Sequence, residues 1–478
     1  MEEEKRPNGA VVPDLAASAG IEGGSSLALP ASDDGLGRCL LQMMKTPAAG
    51  ASPASFSATW EEYLRSKGRP AALRLLSRLE VALGGRRPSL GLYDNALHFI
   101  GGAQKYGCTI AHALQDDFDI TLIANSQVTL DRLQSWYDLD LSRCRLKVIH
   151  LPYFEDRPDF NGVYDAGKVD LKKSNPYHAI SRDSAAYDVF VNNCMLEMVY
   201  PLAAVSELVC HFPEREISRF FHVARYSHII YNSRYTAEWI RKRWLLEPHI
   251  HIYPPVDMEA PRQPAEKEKM ILSVSRFELS GNKQQLEMIK AFQRLCRQYP
   301  EATAGWRLVL AGGSTAENPY LERIRDFLAA SPGQVELKVD LPADELRALF
   351  GQARIFWHFS GLKQWDPARV EHFGMTTVEA MQNACAPVVF RGGGQTEIVE
   401  DGVSGFMFST AAEMEQKTLA LIRDPELAAR LGRAALERGR DFRRDVFESK
   451  VRGHFRHILR WLTFQDSGAD KTEAAGCL

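Results

Sequence analysis

The segment EHFGMTTVE carries a carboxylate at each end, Glu371 and Glu379, with a glycine turn between them. Ionised carboxylates only accept hydrogen bonds, so two of them set apart suit a ligand with two separate polyol regions. A helical path over the eight-residue step from Glu371 to Glu379 would advance ~12 Å along the axis, and an extended path more. Retaining glycosidases hold their two carboxyl groups about 5 Å apart and inverting ones roughly 6.5 to 9.5 Å apart. The pair is therefore read as two grips on one long ligand and not as a hydrolytic acid and base. Gly374 precedes the helical TTVEAMQNAC, so the backbone N–H groups of Phe373, Gly374 and Met375 are expected at a helix amino end, where phosphate or hydroxyl oxygens bind. A solvent-facing glutamate followed by a helix-cap glutamate would explain the segment taken alone.

A second cluster changes that balance. SRFELSGNK places Arg276 just after the apolar run ILSVS and Lys283 just after Gly281, two cations in one loop at the expected carboxyl end of a strand. A pair of unit charges 4 Å apart is worth ~4 kcal/mol at an effective dielectric of 20, whereas a helix terminus adds about 0.3 to 1 kcal/mol. The cations would thus dominate the binding of a diphosphate. A solvated loop with incidental basic residues competes evenly for Arg276 and Lys283 in isolation. Carboxylates for hydroxyls beside cations for phosphates suggest a nucleotide-sugar.

Weaker candidates follow the same logic. HFIGGAQKYG puts Gly101 and Gly102 between an apolar run and a helical one, where backbone can approach a ligand closely. Without the full G-x-G-x-x-G and a following acidic residue, a nicotinamide site is poorly supported, and a tight strand-to-helix turn is an equal reading. His211 ends the apolar run of LVCHFPE, at the strand end where α/β sheets carry their sites. Gly392, Gly393 and Gly394 with Glu397 follow APVVF in the same way, with a flexible turn as the alternative, while His358 and Asp366 rank lower. The acidic DLD at 138–140 is read as a surface turn.

These residues need strands and helices to position them. From residue 90, short apolar runs alternate with helical stretches: LGLYD, DITLIA, RLKVIHL, YDVFVNN, SELVCHF, HIIYNS and HIHIYP. Near-continuous apolar strands alternating with helices indicate a parallel sheet covered on both faces. Pro254 and Pro255 interrupt the pattern as a stiff connector, and it restarts with ILSVS, WRLVLAG, VELKVD, RIFWHFS and APVVFR. The expectation is an α/β protein with two doubly wound Rossmann-like domains facing an interdomain cleft, 57–256 and 257–444. Residues 1–56, rich in Ala, Gly, Ser and Pro, are expected to be disordered; 58–84 form a helical lead-in with Leu73, Leu76, Leu79, Val81 and Leu83 on its packing face; 445–478 hold a returning helix and a disordered tail.

Composition excludes several other classes. With 45% hydrophobic and 25% charged residues and a net charge of −3, the chain is an ordinary globular protein without a general attraction for nucleic acid, so an anionic ligand needs local cations. No run reaches the ~20 apolar residues that a bilayer span needs, and MEEEKRPNG lacks the pattern of a secretory signal. The eight cysteines are scattered, with no CxxC pair and no histidine at metal-ligand spacing, which suggests reduced thiols, a cytoplasmic setting and no metal site. Peripheral membrane contact stays open.

The order of the motifs resembles that of the family 4 retaining glycosyltransferases of GT-B fold: GGA at 101, CHFP at 210, NSRYTAEW, YPPVD, SRF with Lys283, LVLAGG, EHFGMTTVEAM, GGGQTEIV and DGVSGF, across roughly residues 90–460. The resemblance implies that Arg276 and Lys283 bind a donor diphosphate, Glu379 the ribose, and Glu371 with the Phe373, Gly374 and Met375 backbone the donor sugar, with Gly102 near the donor and His211 at the sugar's reacting face. CHFP, YPPVD, LPADEL and EHFG are also similar to the eukaryotic mannosyltransferases that extend lipid-linked oligosaccharide at the cytosolic face, which favours GDP over UDP only weakly. The chain departs from those in lacking a membrane-anchoring helix before the first domain and in the segment GLKQWDPARV, so the acceptor, saccharide or lipid-linked, is left open. The implied reaction is hexose transfer from a nucleotide diphosphate-sugar with retention, needing no metal or other cofactor. The rival readings are a noncatalytic nucleotide-sugar binding protein and an epimerase or phosphorylase on a similar scaffold.

Overall fold

A computed structural model describes residues 35–45, 53–151, 170, 173–194, 197–213, 220–258, 266–315, 317–330 and 333–465. The first sheet comprises β1 (Ser89–Tyr93), β2 (Asp119–Ala124), β3 (Arg145–Val148), β4 (Val189–Asn192), β5 (Val205–Cys210), β6 (His228–Tyr231) and β7 (Ile250–His251), in the order β3-β2-β1-β4-β5-β6-β7. The second comprises β8 (Glu268–Val274), β9 (Arg307–Gly312), β10 (Val335–Val339), β11 (Ala353–His358), β12 (Ala386–Phe390) and β13 (Phe406–Phe408), in the order β10-β9-β8-β11-β12-β13. Every pairing is parallel. Parallel strands need helical crossovers that cover both faces, which is why β4 and β5 are buried along their whole length. In each sheet the chain reverses its winding direction once, between β1 and β4 and between β8 and β11. A crevice opens at the strand carboxyl ends at such a point.

The helix Arg444–Leu462 leaves the second domain and packs on the first. Its Phe447, Val451, Phe455, Ile458 and Trp461 join the core formed by β1, β2 and the helix Gly102–Leu114. Of the linker, Val256 N–H donates to Phe442 O at 2.9 Å, and Gln382 bonds both Val256 O and Met258 N–H.

Two expectations need correction. The stretch 1–56 contains helix Gly35–Lys45, and the following helix starts at Pro53; Leu40 and Leu41 of the first pack with Tyr63, Ala72, Leu75 and Leu79 of the second, an apolar stripe that the Ala, Gly and Ser around it obscure. The rest of that stretch, and the tail beyond residue 465, lie outside the described residues. The packing face of the lead-in helix is also shifted. Leu79 and Val81 are buried, but Leu73, Leu76 and Leu83 are exposed, and Ala72 and Leu75 take the inner positions. The helix docks on more than one neighbour, so no single apolar stripe marks its inner face.

Candidate functional site

Glu371 sits at the end of a long connection from β11, just before the helix Met375–Gln382. Its Oε2 lies 2.9 Å from Lys283 Nζ and 3.2 Å from His358 Nε2. Lys283 comes from the loop after β8 and His358 is the last residue of β11, so the two central strands of the second sheet deliver both partners to one carboxylate oxygen. Burial alone would raise the Glu371 carboxyl; the Lys283 ammonium and the His358 hydrogen bond outweigh it and hold the group well below the usual carboxylate range. The same pairing more than offsets the burial of Lys283, whose ammonium is held above its ordinary value. Glu371 and Lys283 are thus an ionised pair, and His358 Nδ1 is buried with no hydrogen-bond partner among the described residues.

The glycine run explains why this carboxylate stays in place. Gly394 N–H donates to Glu371 O at 2.9 Å. Gly393 has φ +61°, and a Cβ there would lie 2.0 Å from Glu371 O. Only glycine accepts both that left-handed backbone and that approach. Gly374, with φ +115°, caps the helix Met375–Gln382, and a Cβ on it would meet the amide of Gln395 at 2.6 Å. Because the helix begins at Met375, Glu371 stands outside it and the connection to Glu379 is partly extended.

Glu379 is half-buried on that helix. Burial raises its carboxyl to about 6, opposed by the Lys105 ammonium of the first domain. Lys105 lies on the helix Gly102–Leu114, whose first residue meets the second domain directly: a Cβ at Gly102 would stand 2.6 Å from Met375 Sδ. That glycine lets the two domains approach each other closely. Arg276 lies in the exposed loop after β8, its carbonyl held by Gln285 Nε2 at 2.9 Å and its charge near enough to Lys283 to act on it. Phe373 is buried against Tyr253 and Phe442.

On the first domain, His211 follows β5, its ring edge-on to Tyr106 with centroids 5.3 Å apart. Burial pushes the imidazole down to about 4 against a hydrogen bond to the Asn193 backbone, so it is neutral near pH 7, and its Nε2 is buried without a partner among the described residues. Behind it, Asp94 at the end of β1 accepts from Ala96 N–H at 2.8 Å, Gln104 Nε2 at 3.2 Å and Asn193 Nδ2 at 2.7 Å. This fully buried carboxylate ties together the ends of β1 and β4 and the helix Gly102–Leu114.

His358, a lower-ranked candidate in the sequence, meets Glu371 across a loop that no local spacing reveals. Glu397 bridges the domains: its oxygens accept from Arg234 N–H and Tyr235 N–H, both at 2.9 Å, and from Tyr253 OH at 3.0 Å. Asp366 accepts from Ala368 N–H at 3.0 Å and faces Arg243 at 3.7 Å. In the DLD run, Asp138 has φ 53° as a helix cap and Asp140 bonds Ser142 N–H, as a turn does. Lys105 and Asp94 carry no motif of their own in the sequence; their signals are an acidic residue closing the first strand and a lysine in the first turn of the next helix.

Similar solved structures define the class of fold. The chain superposes on an Anabaena protein, Alr3699/HepE in complex with UDP and glucose, with a TM-score of 0.57 at 18% identity, covering 77% of this chain and 99% of that one. It superposes on sucrose-phosphate synthase from Thermosynechococcus elongatus with a TM-score of 0.57 at 16% identity, covering 78% and 99%. The fold is GT-B. Residues 257–438 match the family model for glycosyl transferases group 1. Among curated proteins the chain is 23% identical over 276 residues to an alpha-1,3/1,6-mannosyltransferase, ALG2, of Rhizomucor pusillus, covering 46% of this chain and 60% of that protein. It is 27% identical over 156 residues to a glycogen synthase of Xanthomonas oryzae pv. oryzae, covering 31% of this chain and 28% of that one. The matched stretch thus spans less than two thirds of either relative. Among the described residues no helix is long and apolar enough to cross a membrane, and seven cysteines are free.

Proposed function

We propose that this protein is a retaining glycosyltransferase that moves a hexose from a UDP- or GDP-linked donor to an acceptor hydroxyl on a glycan, glycolipid or lipid-linked saccharide. The observation that carries the reading is the pairing of Lys283 with Glu371 at 2.9 Å, with Arg276 close by, at the strand ends of a GT-B cleft. A cation and a carboxylate side by side match a ligand whose phosphates adjoin sugar hydroxyls. Each group neutralises the other until such a ligand takes both. The Anabaena neighbour's complex with UDP-glucose supports the same class of donor.

In this reading Arg276 and Lys283 neutralise the diphosphate, and Glu379 accepts from the ribose hydroxyls. Glu371 and the backbone of Phe373, Gly374 and Met375 hold the transferred sugar. The acceptor oxygen attacks the anomeric carbon on the face from which the diphosphate departs; the C–O bond to phosphate breaks, and the leaving phosphate oxygen takes the acceptor's proton. Fixed positive charge at that oxygen lowers the barrier because it needs no reorganisation as negative charge grows. Neutral His211 offers Nε2 to a sugar hydroxyl without adding charge at the reacting face. The cations take the place of a metal in this chemistry. The setting is cytoplasmic, with peripheral membrane contact where the acceptor is lipid-linked.

Incubating the protein with UDP- and GDP-hexoses and candidate acceptors, and following nucleoside diphosphate release together with the product, tests the reading. Acceptor-dependent release is expected. Donor binding with no turnover across donors and acceptors would favour a noncatalytic binding protein. An altered sugar nucleotide without acceptor would point to an epimerase, and release that needs free phosphate to a phosphorylase.

A further inference from the structure

Glu207, His228 and His454 form a cluster that the transfer reaction does not use. Glu207 lies in the middle of β5 and is fully buried, a costly place for a carboxylate unless it is paired. Sheet register sets it opposite His228, the first residue of β6. His454 arrives from the helix Arg444–Leu462. His228 Nδ1 is 2.8 Å from Glu207 Oε1 and His454 Nε2 is 2.9 Å from Glu207 Oε2. The two imidazoles stand edge-to-face with centroids 5.0 Å apart. One ligand atom from each residue lies within 4.8 Å of the others.

We propose that Glu207, His228 and His454 bind a divalent transition-metal ion, zinc by preference, which fastens the C-terminal helix to the first sheet. Two imidazoles and a carboxylate are a ligand set that zinc takes with a fourth position for water. At metal–ligand distances of ~2.0 to 2.1 Å, the ligand atoms of a tetrahedral site stand roughly 3.3 Å apart, so the observed trio needs only small side-chain shifts to close on an ion. A third histidine, His249, stands edge-on to His228 with centroids 5.8 Å apart, but its Nδ1 is engaged by Ile229 N–H. The site lies away from the cleft. Glu207 precedes His211 by four residues along an extended strand, ~13 Å at strand rise, and His228 is at the opposite end of β6 from the crevice.

The test uses the full chain, freed of metal by chelation and dialysis and then titrated with Zn2+ alone and with Co2+ alone. Expected are one saturable Zn2+ per chain, a raised thermal midpoint, and visible absorption bands typical of low-coordinate Co2+. His454→Gln is expected to weaken Zn2+ binding more than tenfold while the far-ultraviolet circular dichroism is unchanged. Absence of saturable Zn2+ binding by the unmodified protein overturns the proposal, as does full Zn2+ affinity in both His454→Gln and Glu207→Gln. The unmodified protein's Co2+ spectrum decides the matter even if a variant fails to fold, since octahedral-type bands there would refute the site.

Discussion

The ionised pair of Lys283 and Glu371 is legible in the sequence as two residue types and illegible as a pair. EHFG and SRFELSGNK each announce a strand-end loop, but the 2.9 Å contact between them depends on β8 and β11 being neighbours. His358 shows the same limit: it ends a strand that the sequence locates, and it reaches Glu371 only through the folded path of the loop between them. Glu379 carries a pH prediction. Its carboxyl, raised to about 6 by burial, is protonated below that pH and ionised above it. If ribose hydroxyls donate to the ionised form, donor affinity is weak at pH 5 and strengthens as pH rises through 6. Calorimetric titration of donor across pH 5 to 8 reads this, and Glu379→Gln should flatten that part of the profile. An affinity that is constant over the interval would remove Glu379 from the binding surface.

At the scale of elements, the apolar runs mark twelve of the strands: inner ones such as β4 and β5 are buried on both faces and need no alternation, while the edge strands β3 and β10 are only partly buried. β13 was missed: three residues, Phe406–Phe408, are too short to stand out. The glycine run after β12 was visible as a turn, but not as the surface against which Glu371 leans. Gly393→Ala tests that contact. The left-handed backbone and the 2.0 Å approach to Glu371 O both oppose a methyl group, and strain of this kind costs of order 1 to 3 kcal/mol. A thermal midpoint lowered by a few degrees and a turnover reduced more than donor affinity are expected. A variant as stable and active as the parent would mean that the run does not position the carboxylate.

The whole molecule is held across its cleft by contacts that sequence reasoning cannot pair, since their partners are far apart in the chain. Glu397 of the second domain accepts two backbone N–H groups at the start of the helix Arg234–Trp244 in the first. The rings of Phe212 and His372 stack with centroids 4.0 Å apart, and Tyr235 OH donates to Pro367 O at 3.0 Å. Removing acceptors at a helix start costs about 0.5 to 2 kcal/mol. Glu397→Ala should therefore loosen the two domains, seen as a larger radius of gyration in solution scattering and a raised KM for donor. Unchanged scattering and kinetics would show that Glu397 does not hold the domains together.

The central claim is that Arg276 and Lys283 form a diphosphate site beside Glu371, and titration of UDP and GDP onto the protein and its Arg276→Ala variant tests it most directly. At least one nucleoside diphosphate should bind the parent protein with a defined affinity, and the variant should bind it more than tenfold more weakly, about 1.4 kcal/mol or more. Equal affinity in parent and variant, or no binding of either diphosphate, would contradict the account.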